Sequence, residues 1–131
     1  MNKFYSALAG VLEVDEVGPD TVIREVPDWC SLKAFGVLVM MENDWGAPVS
    51  IDRFAGFVTA RDLYREAFLA FMAGVLGVGR ENLDGSARYG ETPGWDSVNH
   101  LRLVMEAEAR FGVRFELERI PSMTSVDDFL I

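Results

Sequence analysis

The chain has 131 residues, a formal net charge of −9 at pH 7, and a hydrophobic content of 50%. That composition predicts a packed core, and the acidic charge disfavours general nucleic-acid binding because it repels phosphate groups. Cys30 and His100 are the single residues of their types, which excludes an internal disulfide, a cysteine-rich zinc site and motifs that need two histidines. No secretory or membrane-spanning pattern is present, so we expect a soluble, cytoplasmic protein.

The sequence contains an internal repeat. Residues 9–14 (AGVLEV) recur as residues 73–78 (AGVLGV), and residues 27–31 (PDWCS) recur 66 positions later as residues 93–97 (PGWDS). The offset of 66 then holds without a gap, so that residues 59–62 (TARD) match residues 125–128 (SVDD). A collinear series of matches predicts two similar domains, one over residues 1–64 and one over residues 65–131.

The first copy predicts a helix over residues 3–12, a long loop, a helix from Ser31 to about residue 45, a short segment over residues 51–54, and a helix opening at Thr59. A capping-box spacing joins Thr59 to Asp62. The apolar side of the first helix is expected to comprise Phe4, Tyr5, Leu8, Val11 and Leu12. The inward side of the second helix is expected to comprise Leu32, Phe35, Leu38 and Val39.

The second copy predicts the same order: a helix over residues 68–76, a loop, a helix over residues 97–111 and a final capped helix over residues 125–130. The third of these segments is expected to bury Val98, Leu101, Val104 and Met105. Its outward side is expected to carry Asn99, His100, Arg102, Glu106 and Glu108. The fold class predicted for each copy is an all-α, up-down helical bundle.

No proline interrupts residues 60–76, and their apolar positions keep one helical stripe. The two copies are therefore compatible with one shared helix about 25 Å long. A kink near Arg65 and Glu66 is the alternative that the sequence leaves open.

Ser97 is the residue with the most informative surroundings. It follows a long loop and opens an amphipathic helix, so it lies at or just before a helix N-terminus, where free amides and the helix dipole favour a phosphate ester. The structural alternative is that Ser97 or Asp96 simply caps the helix.

The segment from residue 95 to residue 130 resembles the second half of an acyl or peptidyl carrier protein. The likeness rests on the Asp-Ser-Val run at 96–98, the Leu-Val-Met-Glu helix at 103–106, the Phe-Gly pair at 111–112 and the final Thr-Ser-Val-Asp-Asp-Phe run at 124–129. It covers the second copy throughout and the first copy, over residues 4–64, more weakly.

The resemblance implies that Ser97 is esterified with 4′-phosphopantetheine and that the arm carries acyl or aminoacyl thioesters. The implied partners are a phosphopantetheinyl transferase and acyl- or aminoacyl-loading enzymes, and the chain would not itself be a catalyst. Ser31 is a second, weaker candidate, because Cys30 replaces the acidic residue that precedes the serine in the family.

The outer face of the first copy has lost charge relative to the second. Its expected members are Lys33, Ala34, Gly36, Met40 and Glu42, so we expect that face to pack against the second copy or another protein. The sequence leaves open the carried group and the oligomeric state.

Two functional alternatives come from other classes of protein. The first is a helical interaction module of the same fold that never receives the arm. The second is a small hydrolase using Ser97 with His100, which share a helix face at this spacing. Cys30 has no histidine in its own copy to activate it, and a lone cysteine of this kind is usually a bystander.

Overall fold

A computed structural model describes residues 2–130. Its α-helices are α1 (Lys3–Leu12), α2 (Ser31–Trp45), α3 (Ile51–Phe54), α4 (Ala60–Leu76) and α5 (Ser97–Phe111). Four short 3₁₀-helices span Ile23–Glu25, Arg80–Asn82, Ile120–Ser122 and Asp127–Phe129. Within residues 2–130 there is no β-strand beyond two isolated bridges, so the prediction of an all-α fold is confirmed. None of the helices in this range is long and apolar enough to cross a bilayer.

The described chain forms two compact units. We call them the N-terminal unit (Asn2–Phe68) and the C-terminal unit (residues 69–130). The division falls inside α4, four residues beyond the boundary that the repeat predicts. The helix runs without a break through Arg65 and Glu66, where the sequence left a kink open. The two domain ranges derived from the repeat stay a prediction.

The N-terminal unit is built on an aromatic core. Asn2 caps α1, since its Oδ1 accepts the N–H of Phe4 at 2.8 Å and that of Tyr5 at 3.3 Å. The Phe4 ring lies 5.3 Å from Trp45 on α2 and 5.5 Å from Tyr64 on α4, measured between ring centroids. Such edge and stacked pairs add to the stabilisation that burial provides. Burial also raises the pKa of Tyr5 and of Tyr64 to about 12.

The C-terminal unit has a separate aromatic core. The Phe71 ring on α4 meets Phe111 on α5 at 5.5 Å, edge to face. Phe129 packs 5.6 Å from Phe115 and 6.2 Å from Trp95, so the last turn of the chain closes over the loop that precedes α5. These contacts hold the start of α5 against the end of the unit.

Equivalent backbone features occur within each unit, at positions 66 residues apart. The recurring features are the bridges Val22–Thr59 and Arg88–Ser125, the bonds from Ile23 N–H to the Val58 carbonyl and from Tyr89 N–H to the Thr124 carbonyl, and the left-handed caps Gly46 and Gly112. Each of the two backbone bonds measures 3.0 Å. The repeat read from the sequence therefore corresponds to the same backbone connections in each unit.

The inward face predicted for α2 is wrong. Leu32, Phe35 and Val39 are exposed, and Leu38 is half-buried. The buried residues are Val37, Met40, Met41 and Trp45. Because α2 carries apolar side chains around most of its circumference, two helical rows fit the spacing and periodicity cannot choose between them.

The outer face expected for the first copy changes with this correction. Met40 is 4% exposed and belongs to the core. Gly36 lies where α2 approaches α1, since a methyl group there would come within 3.1 Å of the Val11 side chain. Val11, which was expected on the apolar side of α1, is half-buried, and Ala9 is buried in its place.

The face predicted for α5 is wrong in the same way. Val98, Leu101 and Met105 are exposed, while Val104 is buried as expected. The buried row is His100, Leu103, Val104, Ala107 and Phe111, which follows helical spacing once the histidine is included. The prediction that His100 lies on the outward side of this helix is therefore wrong.

The last segments of the two units have equivalent aspartate caps but differ in the helix that follows. Asp62 accepts the N–H of Thr59 at 3.0 Å, which confirms the predicted capping spacing, and α4 begins at the next residue. The final helix expected over residues 125–130 is instead a 3₁₀-helix at Asp127–Phe129. Asp128 accepts the N–H groups of Thr124 and Ser125 there.

Candidate functional site

Ser97 is the first residue of α5 and is exposed. The cap role belongs to Asp96, whose Oδ1 accepts the N–H of Asn99 at 2.9 Å. The Ser97 hydroxyl is therefore not needed to cap the helix. It stands beside the first-turn amides, which lack intrahelical acceptors, and at the positive end of the helix dipole. The helix dipole at this end favours an ester phosphate on this oxygen.

The chain turns sharply at Gly94, three residues before Ser97, and we call this turn the corner. Gly94 has φ of +84°, and a methyl group built on it would lie 2.5 Å from the carbonyl oxygen of Leu76, the last residue of α4. Only glycine fits this close approach at this backbone angle. The Asn99 side chain donates its Nδ2–H to the Gly94 carbonyl at 2.6 Å, which ties the corner to the first turn of α5.

Trp95 and His100 form a buried hydrogen-bonded pair behind Ser97. Trp95 is 1% exposed and His100 is 6% exposed. The indole N–H donates to His100 Nδ1 at 3.0 Å, and His100 Nε2 lies 2.8 Å from the carbonyl oxygen of Ile120. An indole nitrogen can only donate, so Nδ1 accepts and Nε2 carries the proton that it donates to Ile120. The hydrogen bonds thus assign the tautomer of this neutral ring.

This geometry removes His100 from the surface, where the sequence placed it. Both ring nitrogens are engaged inside the unit, and the Tyr89 ring packs edge-to-face on the imidazole at 4.7 Å. No lone pair is available to take a proton from Ser97. The arrangement therefore gives no support to a hydrolase built on Ser97 and His100.

The corresponding corner of the N-terminal unit is built differently. Ser31 is likewise exposed and is the first residue of α2, but Cys30 at the cap position makes no side-chain cap bond. Asp28 stands where the second unit has Gly94 and has φ of +59°. Ala34 replaces the buried histidine, and Trp29 is half-buried rather than enclosed. Ser31 therefore has neither a capping carboxylate nor a buried histidine beside it, although Lys33, at the position of Asn99, donates to the Pro27 carbonyl at 3.1 Å.

Each unit exposes a row of large apolar side chains beside its serine. In the C-terminal unit the row is Val98, Leu101 and Met105 on α5, and in the N-terminal unit it is Leu32, Phe35 and Val39 on α2, at the same positions of the repeat. Leu117 and Ile51, also at matching positions, are further exposed apolar residues outside these helices. Val98 is 67% exposed and Phe35 is 64% exposed. Exposed apolar groups aligned along one helix are typical of a surface that contacts another protein.

Apolar periodicity alone predicts that most of these side chains are buried. The spacing of apolar residues within the two helices does not separate a buried row from an exposed one. The two helices share a clearly apolar row at 32, 35 and 39 and at 98, 101 and 105, whereas the core row of α5 contains a histidine. An apolar row shared by both copies fits a common surface as well as a common core.

The comparisons with known proteins supply no relative. No protein-family model, no curated protein and no solved structure matches this chain.

Proposed function

We propose that the chain is a carrier protein that is esterified on Ser97 with 4′-phosphopantetheine. The observation that carries the proposal is the exposed Ser97 hydroxyl at the first position of α5, beside a separate capping residue and a glycine corner. Such a hydroxyl is accessible to an enzyme, and its helix end favours the phosphate that would be attached.

The reaction that loads Ser97 is a phosphoryl transfer. The Ser97 oxygen attacks the phosphorus of coenzyme A nearer the pantetheine, and an O–P bond forms while the bond from that phosphorus to the bridging oxygen breaks. Adenosine 3′,5′-bisphosphate leaves, and the serine proton passes to a base on the transferase. The attached arm supplies a terminal thiol for thioester chemistry.

The chain's own residues would mount and present the group. Asp96 and Asn99 fix the first turn of α5, and the corner at Gly94 sets the direction from which the chain enters it. The exposed row Val98, Leu101 and Met105 starts next to the serine and offers contact to a transferase or a loading enzyme. We also propose that the protein works in the cytoplasm, where coenzyme A is present.

Intact-mass measurement tests the proposal. The protein is incubated with coenzyme A and a phosphopantetheinyl transferase of broad specificity. We expect wild type to gain one phosphopantetheine group and Ser97→Ala, verified as folded by circular dichroism, to gain none. An unchanged wild-type mass, with a known carrier protein modified in the same reaction, would contradict it.

An unmodified interaction module is the second candidate. It is favoured by the apolar rows, since both units expose one and the N-terminal unit does so beside a serine with fewer supporting contacts. Absence of modification together with partner binding that Leu101→Ser abolishes would support this candidate instead.

A further inference from the structure

Trp95 and His100 are buried, are hydrogen-bonded to each other, and flank Ser97, the proposed attachment residue, in the chain. Trp95 lies two residues before Ser97 in the chain, and His100 lies three residues after it on α5. The hydrogen bond between their side chains, 3.0 Å long, therefore closes a short loop around the serine. His100 is in turn fixed at Nε2 by Ile120 in the 3₁₀-helix near the end of the unit.

Burial makes these two bonds selective for one conformation. A buried indole N–H or ring nitrogen that loses its partner is left desolvated and unsatisfied, so the pair resists rotation of either ring. Tyr89 and Phe129 pack on the imidazole with centroids 4.7 and 6.0 Å away, which leaves the ring little freedom. The backbone between Trp95 and His100 is held at both ends.

We infer that His100 is a positioning residue for Ser97, acting through the Trp95 hydrogen bond to hold the serine in the orientation that accepts the phosphopantetheine group. The inference rests on the proposed function and deepens it. It also distinguishes the two serines: Ala34 occupies the equivalent place in the N-terminal unit, so Ser31 has no such support and is not expected to take the group.

Two substitutions separate the two hydrogen bonds of the ring. The Oδ1 atom of asparagine can occupy the place of Nδ1, so His100→Asn keeps an acceptor for Trp95 and loses the donor to Ile120. The Nε2 atom of glutamine can occupy the place of the histidine Nε2, so His100→Gln keeps the donor and loses the acceptor. Val104→Ala is the control, because Val104 is buried on the same face of α5 without a polar contact to the corner.

The first readout is independent of any modification. Hydrogen exchange of the Trp95 indole N–H, assigned in ¹⁵N-labelled protein with Trp95→Phe, reports whether the bond to the ring persists. We expect wild type, His100→Asn and Val104→Ala to protect this proton and His100→Gln to lose most of the protection.

The second readout is the rate of transfer to Ser97 by intact mass at several protein concentrations. We expect the kcat of the transferase with His100→Gln as its protein substrate to fall by about tenfold or more, since a misplaced reacting group slows the reaction. The KM should stay within about twofold because the exposed row on α5 is intact. His100→Asn and Val104→Ala should retain the wild-type kcat.

The possible results are distinct. Equal kcat values for His100→Asn and His100→Gln, or equal indole protection in both, would overturn the positioning role. If wild type is not modified, the proposed function fails, and the indole exchange still decides whether His100 holds the corner.

Discussion

Gly94→Ala is expected to destabilise the protein through two separate effects. A residue with a side chain at φ of +84° costs about 1–2 kcal/mol in the left-handed region. The new methyl group would also lie 2.5 Å from the Leu76 carbonyl oxygen, which belongs to helix backbone and cannot rotate away. Such overpacking costs about 1–3 kcal/mol. Together these effects predict a loss of about 2–5 kcal/mol.

Gly90→Ala is the matched control. Gly90 has nearly the same φ, +81°, lies in the same unit and has no atom within 4 Å of the position that a methyl group would take. It should lose only the backbone part, about 1–2 kcal/mol. Both substitutions restrict the unfolded chain equally, so that contribution cancels in the comparison.

Urea unfolding followed by circular dichroism measures the difference. We expect the midpoint of Gly94→Ala to fall well below that of Gly90→Ala at an unchanged slope. Equal midpoints for the two variants would refute the argument that the corner is held against the end of α4.

The remaining predictions concern acid and alkaline stability. Burial acts to raise the pKa of Asp128, but the hydrogen bonds from Ser125 and from the Thr124 amide outweigh it and lower that pKa. Ionised Asp128 therefore stabilises the fold above about pH 4, and this contribution is lost as the pH falls through the lowered value; Asp128→Asn should flatten the dependence in acid unfolding curves. Burial raises the pKa of Tyr5 and Tyr64 to about 12, so their stabilising effect, complete below about pH 10, should disappear between pH 10 and 12. Phenolate absorbance showing Tyr5 and Tyr64 half ionised near pH 10, the ordinary tyrosine pKa, would contradict the burial of these two rings.

Local rules predict a large part of the fold. α1 and α3 begin and end where the apolar spacing and turn residues indicated, and Ser97 opens α5 as the loop and the amphipathic pattern required. These features depend on neighbours within a few residues, which a single sequence displays. The offset of 66 added the order of elements in the second copy.

The packing of α2 and α5 depends on more distant residues. Whether His100 is buried is decided by Trp95 and by the Ile120 carbonyl, and a polar ring becomes a core residue only when both partners are present. Apolar periodicity alone places His100 on the surface of α5, so the row of residues that it predicts to be buried differs from the observed one. On α2 the buried row and the exposed row are both apolar, so no polar residue distinguishes one from the other.

The most direct measurement is the location of the attached group within the chain. Wild type is loaded from coenzyme A, digested, and its peptides are fragmented in the mass spectrometer, with Ser31→Ala as the companion variant. The account predicts phosphopantetheine on the peptide containing Ser97, with the same yield in Ser31→Ala. A group found on Ser31 alone, or on neither serine, would contradict the account.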